Sequence, residues 1–301
     1  MIHRPSFFSL PVLPLTGFLL LLGLASLPAQ TLRWGGSDYF SETLAETLGE
    51  WAAGEGMNLR FKPEGFLRAE QAWSGGLRDG LLLFTPEEEP DWGDGAEVFT
   101  LGYAVPLVVV REGNPLREIT AEQLGFIYSV RSGEVLRRWG DLGLEGEWEN
   151  EPIRPMIATA AEHPAAPLFQ NRVLEDPALR ANVQELSRDE ILARAGEQEI
   201  LAVLGSLPED APLRVLSVQP RGETFAFAPS AENIHVGDYP YRLPLYLVIR
   251  TRRQDEQVQL VENLLGDSGA RLLEAEGLVP VPPAARLRNQ QRWAAVLEDS
   301  Q

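Results

Sequence analysis

Short apolar runs alternate with helical patterns along most of the chain. Leu32–Trp34, Met57–Phe61 and Leu81–Phe84 have the length and composition of strands. Between the first two, Leu44, Leu48, Trp51 and Ala52 recur on one face of a helix that Gly54 and Gly56 end. A shorter helix carrying Phe66, Ala69 and Trp73 stops at Gly75 and Gly76. The resulting β-α-β-α-β order predicts a parallel sheet with right-handed crossovers.

The next run, Ala104–Val110, is rich in β-branched residues and too apolar for an edge strand. It leads to Ile119-Thr120, with Gln123 and Leu124 following. Thr120 and Gln123 have the spacing of a capping box, and Ile119 with Leu124 that of a hydrophobic staple around it. Leu186, Ser187, Glu190 and Ile191 repeat the pattern. These two helix starts are the sharpest local signals in the chain. Further strands are expected at Ile153–Ala158, Ile200–Leu204, Leu213–Val218 and Leu243–Ile249. Helices are expected near 253–265 and 268–276, the second stopped by Gly277. The tail from Arg286 to Gln301 has the pattern of a charged helix appended to the fold.

Composition narrows the function classes. The chain has 301 residues, 26 Lys+Arg against 44 Asp+Glu, a net charge of −18, and no cysteine. Disulfides, thiolate metal sites and thiol nucleophiles are therefore excluded. A sequence pI near 4.6 argues against nucleic acid and against anionic membrane surfaces, both of which require clustered Lys and Arg. Residues 1–29 contain no acid and a single Arg, Arg4, ahead of an apolar run of 11 residues from Gly17 to Leu27, then Pro28 and Ala29. This is the layout of a secretory signal peptide cleaved after Ala29. Pro11 and Pro14 interrupt any longer span that would act as an anchor.

Catalytic signatures are missing from the chain. It has no nucleophile elbow, phosphate-binding Walker loop or zinc-helix motif. Of the three histidines, His3 lies in the leader, and His163 and His235 lack neighbouring ligands at metal spacing. His163, in the loop Ala161-Glu162-His163-Pro164, is expected at the surface. Residues 87–97 hold six acids and no base, without the alternating spacing of a calcium loop, and read as a solvated loop. No metal or other cofactor is implied, and the reading is a binding protein, not an enzyme.

Between Ala104 and Ser129 the sequence resembles the crossover strand and following helix of periplasmic phosphate-binding proteins of ABC uptake systems. The matching segment runs Ala104-Val105-Pro106-Leu107-Val108-Val109-Val110-Arg111, then Asn114-Pro115 and the helix from Thr120. Trp139-Gly140-Asp141-Leu142-Gly143 resembles the short W-x-D-L-G element that follows in that family. Tyr239-Pro240-Tyr241-Arg242-Leu243-Pro244-Leu245-Tyr246 is similar to its YP-x-x-RPLY strand, with Leu243 in the usual Arg position. Gly277-Leu278-Val279-Pro280-Val281 resembles its closing G-Y-V-P-L. Each segment is short; their shared order, from about residue 32 to 283, makes the likeness specific.

The resemblance implies a two-lobed α/β fold, the type II periplasmic-binding-protein architecture, with each lobe a mixed sheet flanked by helices. It places lobe one at 31–104 plus 246–285, lobe two at 105–245, and a helical tail at 286–301. It implies a periplasmic monomer that binds a small, phosphate-like ligand between the lobes and meets an ABC transporter membrane component. Ligand loops beyond strand C-termini would supply Gly36, Ser37, Asp38 and Tyr39, then Gly65 and Phe66, Thr85 and Thr159. Of the aromatics there, Phe66 and Trp73 also fit the core face of their helix, which leaves Tyr39 as the clearest stacking group.

The likeness breaks at the ligand loops themselves. The family's Gly/Ser-rich second turn is replaced by Pro63-Glu64-Gly65-Phe66, and its Ser-Asp pair falls on Leu83-Phe84. Its R-x-x-x-S-G-T signature falls on Ala158 to Pro164, with Arg154 four positions upstream and its direction open. Each lost charge-assisted hydrogen bond costs about 1.5–3 kcal/mol. Glu64 and Glu162 would further oppose an anion. An alternative function on the same scaffold is therefore a non-transport sensor or interaction protein with a degenerate ligand site.

Overall fold

The computed structural model describes residues 31–37, 39, 40, 42–85, 92, 93, 95–251 and 255–299. The chain opens as β1 (Thr31–Gly36), α1 (Glu42–Gly54), β2 (Asn58–Pro63), α2 (Phe66–Ser74) and β3 (Gly80–Phe84). The expected parallel arrangement holds: β1 pairs in parallel with β2 from Thr31↔Asn58 to Gly36↔Pro63, and with β3 from Trp34↔Gly80 to Gly36↔Leu82. Leu48 and Ala52 of α1 are buried on one side of this sheet with Leu32, Trp34 and Leu59. Ala69 and Trp73 of α2 pack on the other, against Leu81 and Leu83.

The run expected as one strand at 104–110 is two. A strand β4 (Ala96–Ala104), not foreseen from the sequence, lies antiparallel to the chain's late strand, and β5 (Leu107–Arg111) belongs to another sheet. Pro106 lies at the break. It has no N–H to donate, so the ladder ends there and the chain passes to a new set of partners.

The second half is built from β6 (Glu118–Thr120), α3 (Ala121–Tyr128), β7 (Arg154–Ala158), α4 (Ala165–Leu168), β8 (Gln184–Leu186), α5 (Arg188–Leu192), β9 (Ile200–Leu204), β10 (Leu213–Val215) and β11 (Ser217–Gln219). Both capping boxes form. The Thr120 hydroxyl accepts from the Gln123 N–H at 3.0 Å while the Gln123 amide oxygen accepts from the Thr120 N–H at 2.9 Å. Ser187 and Glu190 do the same. The strand expected at 213–218 also divides: Leu216 donates to Val108, after which β11 leaves β5 and pairs with β6.

The chain closes with α6 (Ala231–Val236), β12 (Leu243–Arg250), α7 (Asp255–Leu265), α8 (Asp267–Ala275), β13 (Val279–Pro280) and α9 (Pro283–Asp299). The six-stranded sheet runs β13-β4-β12-β3-β1-β2 and the five-stranded one β10-β5-β9-β7-β8. The backbone crosses between them at Val105-Pro106 and returns before Leu243. The buried Tyr239 hydroxyl donates to the Pro106 carbonyl at 2.8 Å, tying the two crossings together. This is a two-lobed α/β fold with a mixed sheet in each half.

The last helix is not a loose appendage. It begins at Pro283, where the missing N–H costs nothing, and buries Trp293 edge-on against Phe99 of β4 at 6.2 Å between ring centres. The Arg292 guanidinium lies 4.1 Å from the centre of the same Phe99 ring. Among the described residues no helix is long and apolar enough to cross a membrane. The proposed leader, residues 1–29, and the acidic positions 87–91 and 94 lie outside the described residues.

Candidate functional site

The first three ligand loops sit side by side at the C-terminal ends of β1, β2 and β3. Gly36 ends β1 against the Phe61 ring, where a Cβ would come within 2.3 Å of it. Ser37 is 1% exposed. Its hydroxyl accepts from the Phe84 N–H at 3.0 Å, and its own N–H donates to the Leu82 carbonyl at 3.2 Å. Thr85, also buried, donates its N–H to Pro244, and Glu64 donates its N–H to Gly36. The backbone donors at these loop starts are therefore used within the chain.

Aromatic rings cover this end of the sheet. Phe40 lies 4.9 Å from Phe84 and 5.0 Å from Phe61, and the partly exposed Tyr39 meets Phe84 edge-on at 6.5 Å. Phe84 stands where the resemblance led to an expected aspartate. Leu168, at the end of α4 in the other half of the molecule, belongs to the same apolar cluster. Gly65 turns the chain into α2 with φ 83° and ψ 152°, a backbone region open only to glycine. Phe66 then points into the α2 packing layer beside Trp92, 5.8 Å between ring centres, as the core alternative predicts. Asp38 lies outside the described residues.

The charges expected to oppose an anion are partly spoken for. Glu64, 7% exposed, is held by both arms of Arg78, with Nε and Nη2 each 2.8 Å from a carboxylate oxygen, and by Lys62 at 3.3 Å. Arg154 pairs with Glu197 at 2.6 Å and with Glu199, so it does not serve the loop after β7. In that loop Thr159 donates its N–H to Leu186 at 3.0 Å, and Glu162 accepts the Arg188 N–H at 2.9 Å.

His163 is the residue that sequence reasoning misplaced. Its Nδ1 accepts from the Ala165 N–H at 3.1 Å, which leaves the proton on the buried Nε2. The ring lies over Gly205, where a Cβ would be 2.1 Å from Nδ1. Burial, aided by the Arg188 guanidinium and partly offset by the Gly277 carbonyl, pushes the imidazole down to about 4. It is neutral at pH 7. The bend that buries it comes from glycines far along the chain, so the local sequence carries no signal of it.

Around His163 is a cavity of about 300 Å³. One wall is Ala158, Ala161 and Glu162 from the loop after β7, with Ser187, Arg188 and Asp189 opening α5; Gly205 and Ser206 follow β9. The opposite wall is Ala275 and Glu276 at the end of α8, from the other half of the molecule. Of the expected ligand residues, Gly36, Ser37, Tyr39 and Thr85 gather at the aromatic end, and Thr159 adjoins this cavity next to Ala158. The sequence marks Ser187 only as a cap and carries no signal for Arg188 or Ser206. A larger concavity of about 660 Å³, among Arg172, Arg221 and Tyr241, touches none of these loops. Among the described residues no group of three or more acidic or histidine side chains is placed to hold a metal ion.

The chain is similar to the phosphate-binding protein PstS of Pseudomonas aeruginosa, 21% identical over 268 residues, spanning 80% of this chain and 81% of that protein. No family model matches it. Among solved structures it superposes on a possible phosphate binding protein from Planctomyces limnophilus with TM-score 0.69 and 19% identity, over 89% of this chain and 99% of that one. An ABC-type phosphate transport receptor from Vibrio cholerae gives 0.57 and 16% over 84% and 100%, and PstS from Borrelia burgdorferi 0.58 and 14% over 84% and 99%. The resemblance to phosphate-binding proteins is borne out, and the two-lobed fold is theirs.

Proposed function

We propose that the protein is a periplasmic solute-binding protein of the phosphate ABC-uptake type, exported by its leader and acting as a monomer that presents a small ligand to a membrane component. Lobe one is 31–104 plus 246–285 and lobe two 105–245, and the ligand lies between them. The observation that carries this reading is the cavity of about 300 Å³ walled by both halves of the molecule beyond the C-terminal end of β7. Ligands in open α/β folds sit beyond strand ends. Because only two short backbone crossings join the sheets, hinge closure can bury a small solute there.

One observation favours the sensor or interaction reading: Phe40, Phe61 and Phe84 fill the end of the first sheet where an anion would be held. A thermal-shift screen of the purified protein against phosphate, sulfate, sugars, amino acids and diamines separates the two. The receptor reading expects a concentration-dependent rise in Tm with at least one solute, saturating at one site. A flat response across the panel overturns it in favour of the second.

A further inference from the structure

A groove of about 620 Å³ lies at the far end of the second half, between the turn after α3, the residues leading into β7 and the segment leading into β8. Pro152 and Ile153 on its wall precede the N-terminal end of β7, whereas the ligand loop follows the C-terminal end. The five residues of β7, about 16 Å of strand, separate the two places. The groove floor is apolar and open to water, with Val130 49% and Val135 40% exposed. Its lining carries two guanidinium groups, Arg137 and Arg180, and no carboxylate. Arg180 gives its Nη2 to the Ser132 and Glu134 carbonyls at 3.0 and 2.8 Å, which leaves its charge unneutralised. Asp141 accepts from the backbone N–H groups of Arg137 and Arg138 at 2.7 and 2.9 Å and not from the Arg137 guanidinium. Among the described residues no ion pair engages Arg137 or Arg180. In a chain of net charge −18 this groove therefore has the opposite sign to the molecule.

We infer that this groove docks a short acidic peptide segment of a partner protein, with apolar side chains on Val130 and Val135 and carboxylates at Arg137 and Arg180. Charge complementarity selects the acid, and the exposed valines select a chain that also carries apolar groups. A small inorganic anion would leave both valines in water. An anionic membrane surface is repelled by the net charge of the molecule. Arginine in the absence of Lys, Glu and Asp is also the composition that protein interfaces favour. The groove is built before anything binds. Arg180 fixes the turn after α3, the Ile153 N–H donates to the Arg137 carbonyl at 2.7 Å, and the buried Asp176 carboxylate holds Ser129 and Arg131. A preformed surface lowers the ordering cost of association. The inference goes beyond the receptor reading and does not rest on it, because the groove lies at the opposite end of β7 from the ligand loop.

Selection of a phage-displayed random dodecapeptide library on the purified protein tests this, followed by fluorescence-polarisation titration of the enriched peptides made with a fluorescein label. The expected result is enrichment of peptides that combine Asp or Glu with apolar residues. Val135→Glu and Arg137→Glu, both at exposed positions, should each weaken the binding of such a peptide by about tenfold or more. The same peptide with Lys in place of its acids should not bind, which decides the point on the unaltered protein if a variant fails to fold. No enrichment, enrichment without acidic residues, or equal binding to both variants overturns the inference. A dimer in sedimentation equilibrium that Val135→Glu dissolves would place a second copy in the groove and overturn it as well. The solute screen above reads the other end of β7, so a flat thermal-shift panel removes the receptor reading and leaves this one standing, and a failed peptide selection does the reverse.

Discussion

Acid should destabilise this protein partly through one histidine. His163 holds its imidazole neutral, with the folded-state value at about 4 against an ordinary 6.5. Between those values the unfolded chain takes up a proton that the folded chain refuses. Stability contributed by this site is therefore complete above pH 6.5 and is lost as pH falls toward 4. The gap corresponds to about 3 kcal/mol. Urea denaturation at pH 7.5 and at pH 4.0 measures it when the protein is compared with His163→Asn. The asparagine oxygen can still accept from the Ala165 N–H but does not titrate. Carboxylate titrations common to both proteins cancel in the double difference, which should leave the unaltered protein losing about 3 kcal/mol more than the variant. Equal losses, within about 0.5 kcal/mol, would refute the burial and tautomer assigned to His163.

Three further outcomes follow from the packing. Trp293→Ala should cost about 3–5 kcal/mol in urea denaturation, because the side chain is 1% exposed and fills the face of β4; a change under about 1 kcal/mol would restore the picture of an appended tail. Arg78→Ala leaves the buried Glu64 carboxylate with the exposed Lys62 and without its guanidinium and should cost up to about 3 kcal/mol, whereas the pair Arg78→Met with Glu64→Met should recover most of it. Gly36→Ala drives a methyl to within 2.3 Å of the Phe61 ring and 2.9 Å of the Leu82 carbonyl oxygen and should cost about 1–3 kcal/mol by the same assay, with Phe61→Leu relieving only the part due to the ring.

Local rules were legible in the sequence wherever the physics is local. Thr120 with Gln123 and Ser187 with Glu190 close their capping boxes within one turn, so three-residue spacing sufficed. The β1–α1–β2–α2–β3 order followed from periodicity, and right-handed crossovers left one arrangement. What failed depended on distant partners. Ala104 to Val110 reads as one apolar run, yet β4 pairs with β12 and β5 with β9, and Pro106 interrupts the ladder between them. The acidic stretch before Phe99 masked the start of β4, although Phe99, Leu101 and Tyr103 alternate as a strand should.

The site divides in the same way. Strand-end loops could be located from order alone, and Gly36, Ser37, Thr85 and Thr159 do stand at strand ends. Whether a group there faces a ligand is set by what packs on it. Phe66 turns to Trp92, Arg154 turns to Glu197, and Ser37 is consumed by Phe84. His163 was read as a surface residue because its burial depends on Gly205 and on the lobe that carries Gly277, neither of which is near it in sequence. The cavity walls come from four separate segments, and no motif spans them.

On the proposed reading the phosphate-receptor scaffold persists here while a packed aromatic layer and a mixed-charge cavity stand in place of its anion site. Equilibrium dialysis of the purified protein against labelled inorganic phosphate at about micromolar concentration tests this directly, since a site with Kd well below that level would be filled. No retention above a protein-free control is expected. Stoichiometric retention, displaced by unlabelled phosphate, would contradict it.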